Sequence, residues 1–490
     1  MKKRILCMLA AICLLASFFP IMSFSETASM QSEVPPQDNV QSMSVHTDSI
    51  DLPLSLQETV PASQTLRDRL LAGLFSHETE IDVSAFGVDA AVLKVTVQDL
   101  MYSEPMLFHV DSRYQFYESN GKVTRFAPQY RMNQANYATA KSYCEEQVQI
   151  ILDQSGARSA KDDLTKALLL NDYIATHFSY DAVNPVHDIY GMLTTGKAVC
   201  QGYTLLYTLL LNELGIENGY AHSAAMNHIW NLVKIDGSYY HVDVTWADPV
   251  NDRYSLVYHN YFMLSDAYIR STEPGKAHHS WTASNGITCN DTRYDGAIFS
   301  DARSPFVTNG VDLFYIDFES GDLCRYVDPF TKGEALSNHH DYWKVSGSST
   351  SYYPGTYSGL VVIGANLYYN TSSIVGVYNL VSGADRTLVT LSDQTLQIVG
   401  LMAGADGALT YALASDITYT APTSIERYEI PTFSVYDCNR DGLLDQADLT
   451  SLLNYLSELD VNSFVYPDVN ADGVLNVEDL SAMLFALANV

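Results

Sequence analysis

Basic residues are scarce in this 490-residue chain: 27 Lys+Arg stand against 57 Asp+Glu, a formal net charge of −30. Binding a nucleic-acid backbone or an anionic lipid surface takes clustered cations, so neither is an expected partner. Cysteine is scarce too, at seven, which makes a disulfide framework improbable for a chain of this size. Charged residues total only 17% and hydrophobic residues 47%, a balance that excludes a wholly disordered chain. Beyond residues 5–19 no apolar run approaches the roughly 20 residues needed to span a bilayer. What the chain does have is tyrosine: 34 of them beside 4 Trp suggest many strands or aromatic-lined surfaces.

The start reads as a secretory signal over residues 1–25. Lys2, Lys3 and Arg4 precede the apolar run from Ile5 to Phe19, and Ser23-Phe24-Ser25 offers a small-x-small cleavage pattern. An exported, extracellular chain beginning near Glu26 is the expectation, with no membrane attachment after cleavage. Five cysteines would remain (Cys144, Cys200, Cys289, Cys324 and Cys438), so at least one thiol is expected to be free. Residues 26–60 are rich in Ser, Gln, Pro and Thr and read as a flexible linker.

Residues 61–299 carry mixed patterns. Leu66, Leu70, Leu71 and Leu74 predict a short helix. Residues 113–130 alternate around Asn120-Gly121, a hairpin signal. Residues 134–155, 161–177 and 201–214 read as helices, the last ended by Gly215, and 228–247 as two strands turning at Asp236-Gly237. From 300 to 432 helical periodicity disappears. The stretches 312–326, 366–380 and 407–420 look alike, each with two short strand patterns around a polar turn. A β-rich domain follows, as a meander, sandwich or part of a propeller.

Residues 433–490 hold a duplicated pattern. Asp437, Asn439, Asp441, Gly442, Asp445 and Asp448 occupy positions 1, 3, 5, 6, 9 and 12 of one loop; Asp468, Asn470, Asp472, Gly473, Asn476 and Asp479 repeat them 31 residues later. Short oxygen-bearing side chains at alternate positions can wrap Ca2+, with the carbonyls of Leu443 and Val474 filling position 7 and glycine permitting the sharp turn. A leucine-rich stripe follows each loop: Leu449, Leu452, Leu453 and Leu456, then Leu480, Met483, Leu484 and Leu487. No amphipathic helix precedes Asp437. Loop plus one helix, twice over, resembles a type I dockerin. The resemblance implies two structural Ca2+ ions and a cohesin module of a scaffoldin as partner, with Gln446-Ala447 and Val477-Glu478 at the positions that set cohesin choice.

A second constellation lies at 190–249. Cys200 stands where a glycine-containing turn enters an apolar helix, and a helix N-terminus favours a thiolate and can hold an oxyanion. His228 opens a strand and Asp243 falls on the next one, placed to face it across the ladder. Asp243 could then fix the imidazole tautomer while His228 takes the thiol proton. The adjacent His278, His279 and Trp281 read as a loop packed near the cleft, with His222 and His241 as structural histidines. The blocks GKAVCQGY, HIWN and YYHVDVTWADP, together with FSYD and YFMLSD, resemble the transglutaminase-like superfamily. That resemblance implies a papain-like α+β core, Cys200 as nucleophile, His228 as general base and Asp243 as the orienting acid. It also implies that Trp230 walls the cleft and that Tyr180 lies near it. The expected whole is an α+β papain-like core, an all-β domain and a small all-α duplicated calcium-loop domain. The expected activity is hydrolysis of protein or peptide amides through an acyl-thioester on a cohesin-bound enzyme. The alternatives are a protein-glutamine transglutaminase or a non-catalytic binding module.

Overall fold

A computed structural model describes residues 44–49, 64–249, 254–271, 277–345, 351–404, 406–416, 421–430, 437–438, 445–456 and 477–488. The signal segment lies outside them. Ser44–Ser49 is strand β1, paired antiparallel with β3 from Ser44↔Glu118 to Ser49↔Arg113. This corrects the linker expectation for those six residues. Their composition is polar, but β3 offers an open edge whose backbone groups need partners.

The lead-in comprises α1 (Gln64–Phe75), β2 (Ile81–Asp82), α2 (Ala90–Ser103), β3 (Val110–Ser119) and β4 (Lys122–Tyr130), with sheet order β1-β3-β4-β2. Asn120 and Gly121 both take positive φ, 53° and 70°, as a two-residue hairpin turn requires. Leu66, Leu70 and Leu74 are buried with Leu93, Val97, Leu100 and Phe126 in a core of their own.

The next elements are α3 (Gln134–Gln154), α4 (Asp163–His177), β5 (Ser179–Tyr180), α5 (Ile189–Thr195), β6 (Lys197–Ala198) and α6 (Cys200–Glu213). Asn133, Asp162 and Asp188 cap α3, α4 and α5 by accepting the N–H three residues on. Strands β7 (Asn218–Ser223), β8 (His228–Ile235) and β9 (Ser238–Val242) precede α7 (Val244–Ala247), β10 (Phe262–Leu264), α8 (Asp266–Ser271) and β11 (Thr282–Ala283). The sheet order is β10-β9-β8-β7-β11.

Helix α6 buries Leu206, Leu210 and Leu211 completely, each contributing about 1.5–3 kcal/mol of apolar burial. Polar ties then fix its register on β8. Thr204 Oγ1 donates to the Ile229 carbonyl at 3.1 Å, and Asn231 Nδ2 donates to the Thr204 carbonyl at 3.1 Å and to Thr208 Oγ1 at 2.9 Å. These bonds hold the Cys200 end of the helix beside the His228 end of the strand. A Cβ at Gly202 would meet the Ala198 Cβ at 2.6 Å, so the second glycine of GKAVCQGY lets β6 approach.

The expectation of strand through residue 247 needs correcting. Asp236 and Gly237 do form the turn, with φ 51° and 86°, but β9 ends at Val242 and Asp243 caps α7. A capping aspartate satisfies the helix's first N–H groups, which outweighs the β-propensity of Val244 and Thr245.

Between 307 and 428 the described residues form antiparallel sheets of four, two, four and three strands. The stretches 312–326 and 366–380 each form a hairpin, Leu313–Ile316 with Leu323–Arg325 and Asn366–Asn370 with Ile374–Asn379. In the third, Leu409–Ala414 pairs with Ser424–Tyr428, and 417–420 lie outside the described residues. The expected boundary at 299/300 is not a break in packing. Ala302, Phe306, Tyr315 and Cys324 join the same hydrophobic cluster as Leu206 and Leu210, because Phe306 and Tyr315 stack at 5.0 Å and plug the base of the core.

Two helices close the chain, α9 (Gln446–Leu456) and α10 (Val477–Leu487). Leu452 and Met483 are buried with Cys438, flanked by Leu449, Leu480 and Leu487. Leu453 and Leu484 are instead 43% and 50% exposed, a correction to the expected stripes. Two short helices meeting along one seam bury a narrow strip and leave the adjoining position outside. Of the twelve expected calcium ligands, Asp437, Asp445, Asp448 and Asp479 are described. Asn439, Asp441, Leu443, Asp468, Asn470, Asp472, Val474 and Asn476 lie outside the described residues.

Candidate active site

Cys200 is the first residue of α6, and Val199 supplies no side-chain cap. The Val199 carbonyl accepts from Gly202 and Tyr203, whereas the N–H groups of Cys200 and Gln201 find no acceptor among the described residues. These are the free donors of a helix N-terminus, aimed at the sulfur's surroundings. His228 Nε2 lies 2.6 Å from Asp243 Oδ2, and Cys200 lines the same cleft as this imidazole and helps to hold its proton. With Nε2 engaged by Asp243, Nδ1 is the ring nitrogen left to face the thiol. The fold therefore brings Cys200, His228 and Asp243 together, and the approach is diagonal rather than across a rung. Asn231 faces Val242 in the ladder, so Asp243 lies just past the end of β9.

Burial disfavours charge on His228, but the charge and hydrogen bond of Asp243, with Cys200 beyond it, overcome this and raise the imidazole to about 10. Burial likewise opposes ionisation of Asp243, and His228 and His278 reverse the direction, holding the carboxyl well below the usual range. The four other described cysteines are buried. Burial pushes Cys144, Cys324 and Cys438 up to about 12 and Cys289 higher still, which makes them poor thiolates near neutrality.

Around this site the sequence marked His278 only as a loop residue near the cleft and did not single out Trp246 or Tyr102. His278 Nε2 lies 2.7 Å from the same Asp243 Oδ2, and its Nδ1 is buried without a partner. Burial lowers its pKa, so it stays neutral and donates a second N–H to the carboxylate. Asp243 Oδ1 accepts from the Trp246 N–H at 3.1 Å, which completes the carboxylate. Trp246 also stacks on His228, with ring centroids 5.5 Å apart. Tyr102, from α2 of the lead-in, packs against Cys200, and its hydroxyl is buried with no hydrogen-bond partner. It lies 98 positions before the cysteine, so no local pattern could flag it.

Two clefts meet at His228 and Tyr180. One, of about 320 Å³, is lined by Cys200, Gln201, Tyr102, His187 and Asn227. The other, of about 810 Å³, is lined by Trp246 and a run of tyrosines, and does not include Cys200. Tyr180 thus lies at the site, carried there by the pairing of β5 with β6. Trp230 does not wall either cleft. It is 1% exposed and donates from Nε1 to His241 Nδ1 at 2.8 Å. It shares the His228 face of β8, but that face is roofed at position 230 by His278 and Trp281.

His241, Asp266 and Cys289 offer a cluster of possible metal ligands. His241 Nδ1 already accepts from Trp230, so Nε2 carries the proton and donates to Asp266 at 2.8 Å. That leaves no imidazole lone pair for a cation, and His241 is a structural histidine, as expected.

Residues 151–244 match the model of the transglutaminase-like superfamily. The kyphoscoliosis peptidases of Homo sapiens and Mus musculus are each 24% identical over 159 residues, covering 27% of this chain and 23% of the relative. The chain thus spans under a quarter of the length of the curated relatives it matches. A crystal structure of a TGase aligns at 14% identity over 32% of this chain and 48% of its own, with a TM-score of 0.20. The matched segment contains Cys200, His228 and Asp243 and is followed by a long series of β-sheets. Residues 151–244 of this chain are a transglutaminase-like domain.

Proposed function

We propose that the protein is a cysteine acyl-transfer enzyme that hydrolyses protein or peptide amides. The observation that carries the reading is the 2.6 Å contact of His228 Nε2 with Asp243, with Cys200 at a helix N-terminus in the same cleft as the imidazole. The thiolate forms an S–C bond to the amide carbonyl while the imidazolium Nδ1–H goes to the nitrogen as the C–N bond breaks. Water then adds to the thioester, gives its proton to His228, and the C–S bond breaks to release the acid. The free N–H groups of Cys200 and Gln201 and the unpartnered Tyr102 hydroxyl border the cleft that holds the sulfur and would donate to the developing oxyanion. The mammalian relatives are named peptidases, which favours water over an amine as acceptor. Intact-mass and peptide mass spectrometry after rapid acid quench with a pooled peptide substrate should find an acyl adduct on Cys200. In the presence of a primary amine, products should remain mostly free acids. Predominant amide products would select a transglutaminase, and an adduct on any other residue would reject the assignment.

Tyr102→Phe separates catalysis from stability. Removing a buried hydroxyl without a partner should leave the melting temperature unchanged or raised, by up to about 1–3 kcal/mol in stability. Loss of an oxyanion donor should lower kcat by about 10²-fold with little change in KM. An unchanged kcat would remove Tyr102 from the mechanism.

The same proposal takes the chain as exported and tethered to a cohesin by a calcium-loaded C-terminal domain. Its support is the duplicated loop pattern together with three carboxylates, Asp437, Asp448 and Asp479, that are at most 5% exposed and all act on the Cys438 thiol. Buried carboxylates converging on one small core fit a hard divalent cation. Asp448 Oδ2 also accepts the Asp445 N–H at 2.8 Å, which orders that end of the loop. Exposed Leu453, Val477, Leu484 and Phe485 would provide apolar contact area for a partner. Calcium at a thousandfold excess over its Kd should stabilise this domain by about 4 kcal/mol. Binding to a cohesin panel should vanish with EDTA and return with calcium. A melting transition indifferent to EDTA would sink the calcium assignment.

A further inference from the structure

The larger cleft is defined on one side by His228 and holds an arginine without a carboxylate partner among the described residues. Arg303 lines it, donating from one Nη to Asn260 Oδ1 at 2.8 Å, with the guanidinium 4.6 Å from the Tyr258 ring centre and 5.1 Å from that of Phe318. No ion pair to Arg303 occurs among the described residues, although the chain carries a net charge of −30. Burial lowers its pKa, with only the Tyr258 hydroxyl opposing, as expected for a cation taken from water without a counter-charge. The two carboxylates that line the same cleft are committed elsewhere: Asp248 accepts from Tyr203 Oη at 2.5 Å, and Asp295 accepts from Ser265 N and Oγ at 2.8 and 2.7 Å.

The chemistry of amide cleavage says which part of a substrate belongs there. His228 must deliver its proton to the departing nitrogen, so the leaving group lies on the side reached by the imidazole and not by the sulfur. The smaller cleft meets both Cys200 and Gln201 and takes the acyl side. The larger meets His228 and Trp246 and takes the leaving amine. At about 810 Å³ it has room for a ligand on the order of a short peptide. A guanidinium is a planar fork matched to a carboxylate, and here it is already oriented by Asn260 and its aromatic neighbours.

We infer that Arg303 binds the terminal carboxylate of the leaving group, so that the enzyme favours release of an amino acid or short peptide with a free C-terminus from the aromatic cleft. This rests on the acyl-transfer reading for the direction of the substrate, while the carboxylate site itself is measurable without turnover. Glycyl-L-tyrosine and glycyl-L-tyrosinamide are titrated by calorimetry into the full chain carrying Cys200→Ala. The free acid should bind at least about tenfold more tightly than the amide, the scale of one charge-assisted pair. Arg303→Gln should collapse that preference to less than about threefold, and Arg303→Lys should keep part of it. Should Arg303→Gln fail to fold, the acid–amide comparison in the unmodified site still decides.

Equal affinities, no binding of either dipeptide, or a preference that persists in Arg303→Gln would each overturn the inference. So would Arg303-dependent binding of glucuronate with no binding of the dipeptide, which would make the cleft an acidic-sugar site. An acid preference without any Cys200 acyl adduct would retain the carboxylate site and reject the hydrolase. The adduct without the preference would do the reverse.

Discussion

Cys200→Ala is expected to abolish amide turnover, a loss of about 10⁴-fold or more, while leaving the fold intact. Groups that act as one unit in covalent catalysis lose nearly everything when the nucleophile goes. The side chain is only partly buried and packs against Tyr102, Tyr220 and Ile229, so alanine removes little contact area. The wild-type protein should take up one equivalent of iodoacetamide near neutral pH. Cys144, Cys289, Cys324 and Cys438 are buried with raised pKa values, and among the described cysteines Cys200 combines access with an imidazole in the same cleft. Retention of activity by the alanine variant, or alkylation of a different cysteine first, would defeat this assignment.

Asp243→Asn should lower kcat by about 10²–10⁴-fold and destabilise the fold by about 3–5 kcal/mol. The carboxylate accepts three N–H groups, from His228, His278 and Trp246. Asparagine has one oxygen and one NH2, so each orientation sets a donor against a donor: towards Trp246 in one, towards both imidazoles in the other. The pH dependence has a definite sign. His228 is raised from 6.5 to about 10 in the folded protein. Its contribution is complete below pH 6.5, declines above that, and is lost as the pH rises through about 10. Asp243 is depressed from 3.8, so its contribution is present above that value and is lost as the pH falls through the folded one. The gap in melting temperature between wild type and Asp243→Asn should therefore be widest near pH 4–6.5 and shrink on either side. A gap independent of pH from 3 to 11 would mean that the pair is not ionised.

The donors to Asp243 also mark where sequence reasoning ran short. His278 was legible only as a loop residue near the cleft, because nothing local says that it shares a carboxylate oxygen with a histidine 50 positions earlier. Trp230 and Trp246 show the opposite error. Both stand in recognisable blocks, but which indole faces the cleft depends on what covers the far side of β8. His278 and Trp281 cover Trp230, and the turn of α7 brings Trp246 over the imidazole.

The sequence by itself determined the local pieces. Period 3.6 placed the helices 134–155, 161–177 and 201–214 that frame Cys200. Asn-Gly and Asp-Gly placed two hairpin turns, and glycine-flanked Cys200 marked a helix N-terminus. These are decided by interactions within a few residues, and such interactions are written in the chain as spacing. Only the tertiary structure decided that Tyr102 reaches the nucleophile, that Arg303 enters the cleft beside His228, and that Phe306 and Tyr315 close the core from beyond the expected boundary. Those contacts join residues about 75 to 110 positions apart, where chain entropy favours no particular pairing until burial of a shared core selects one.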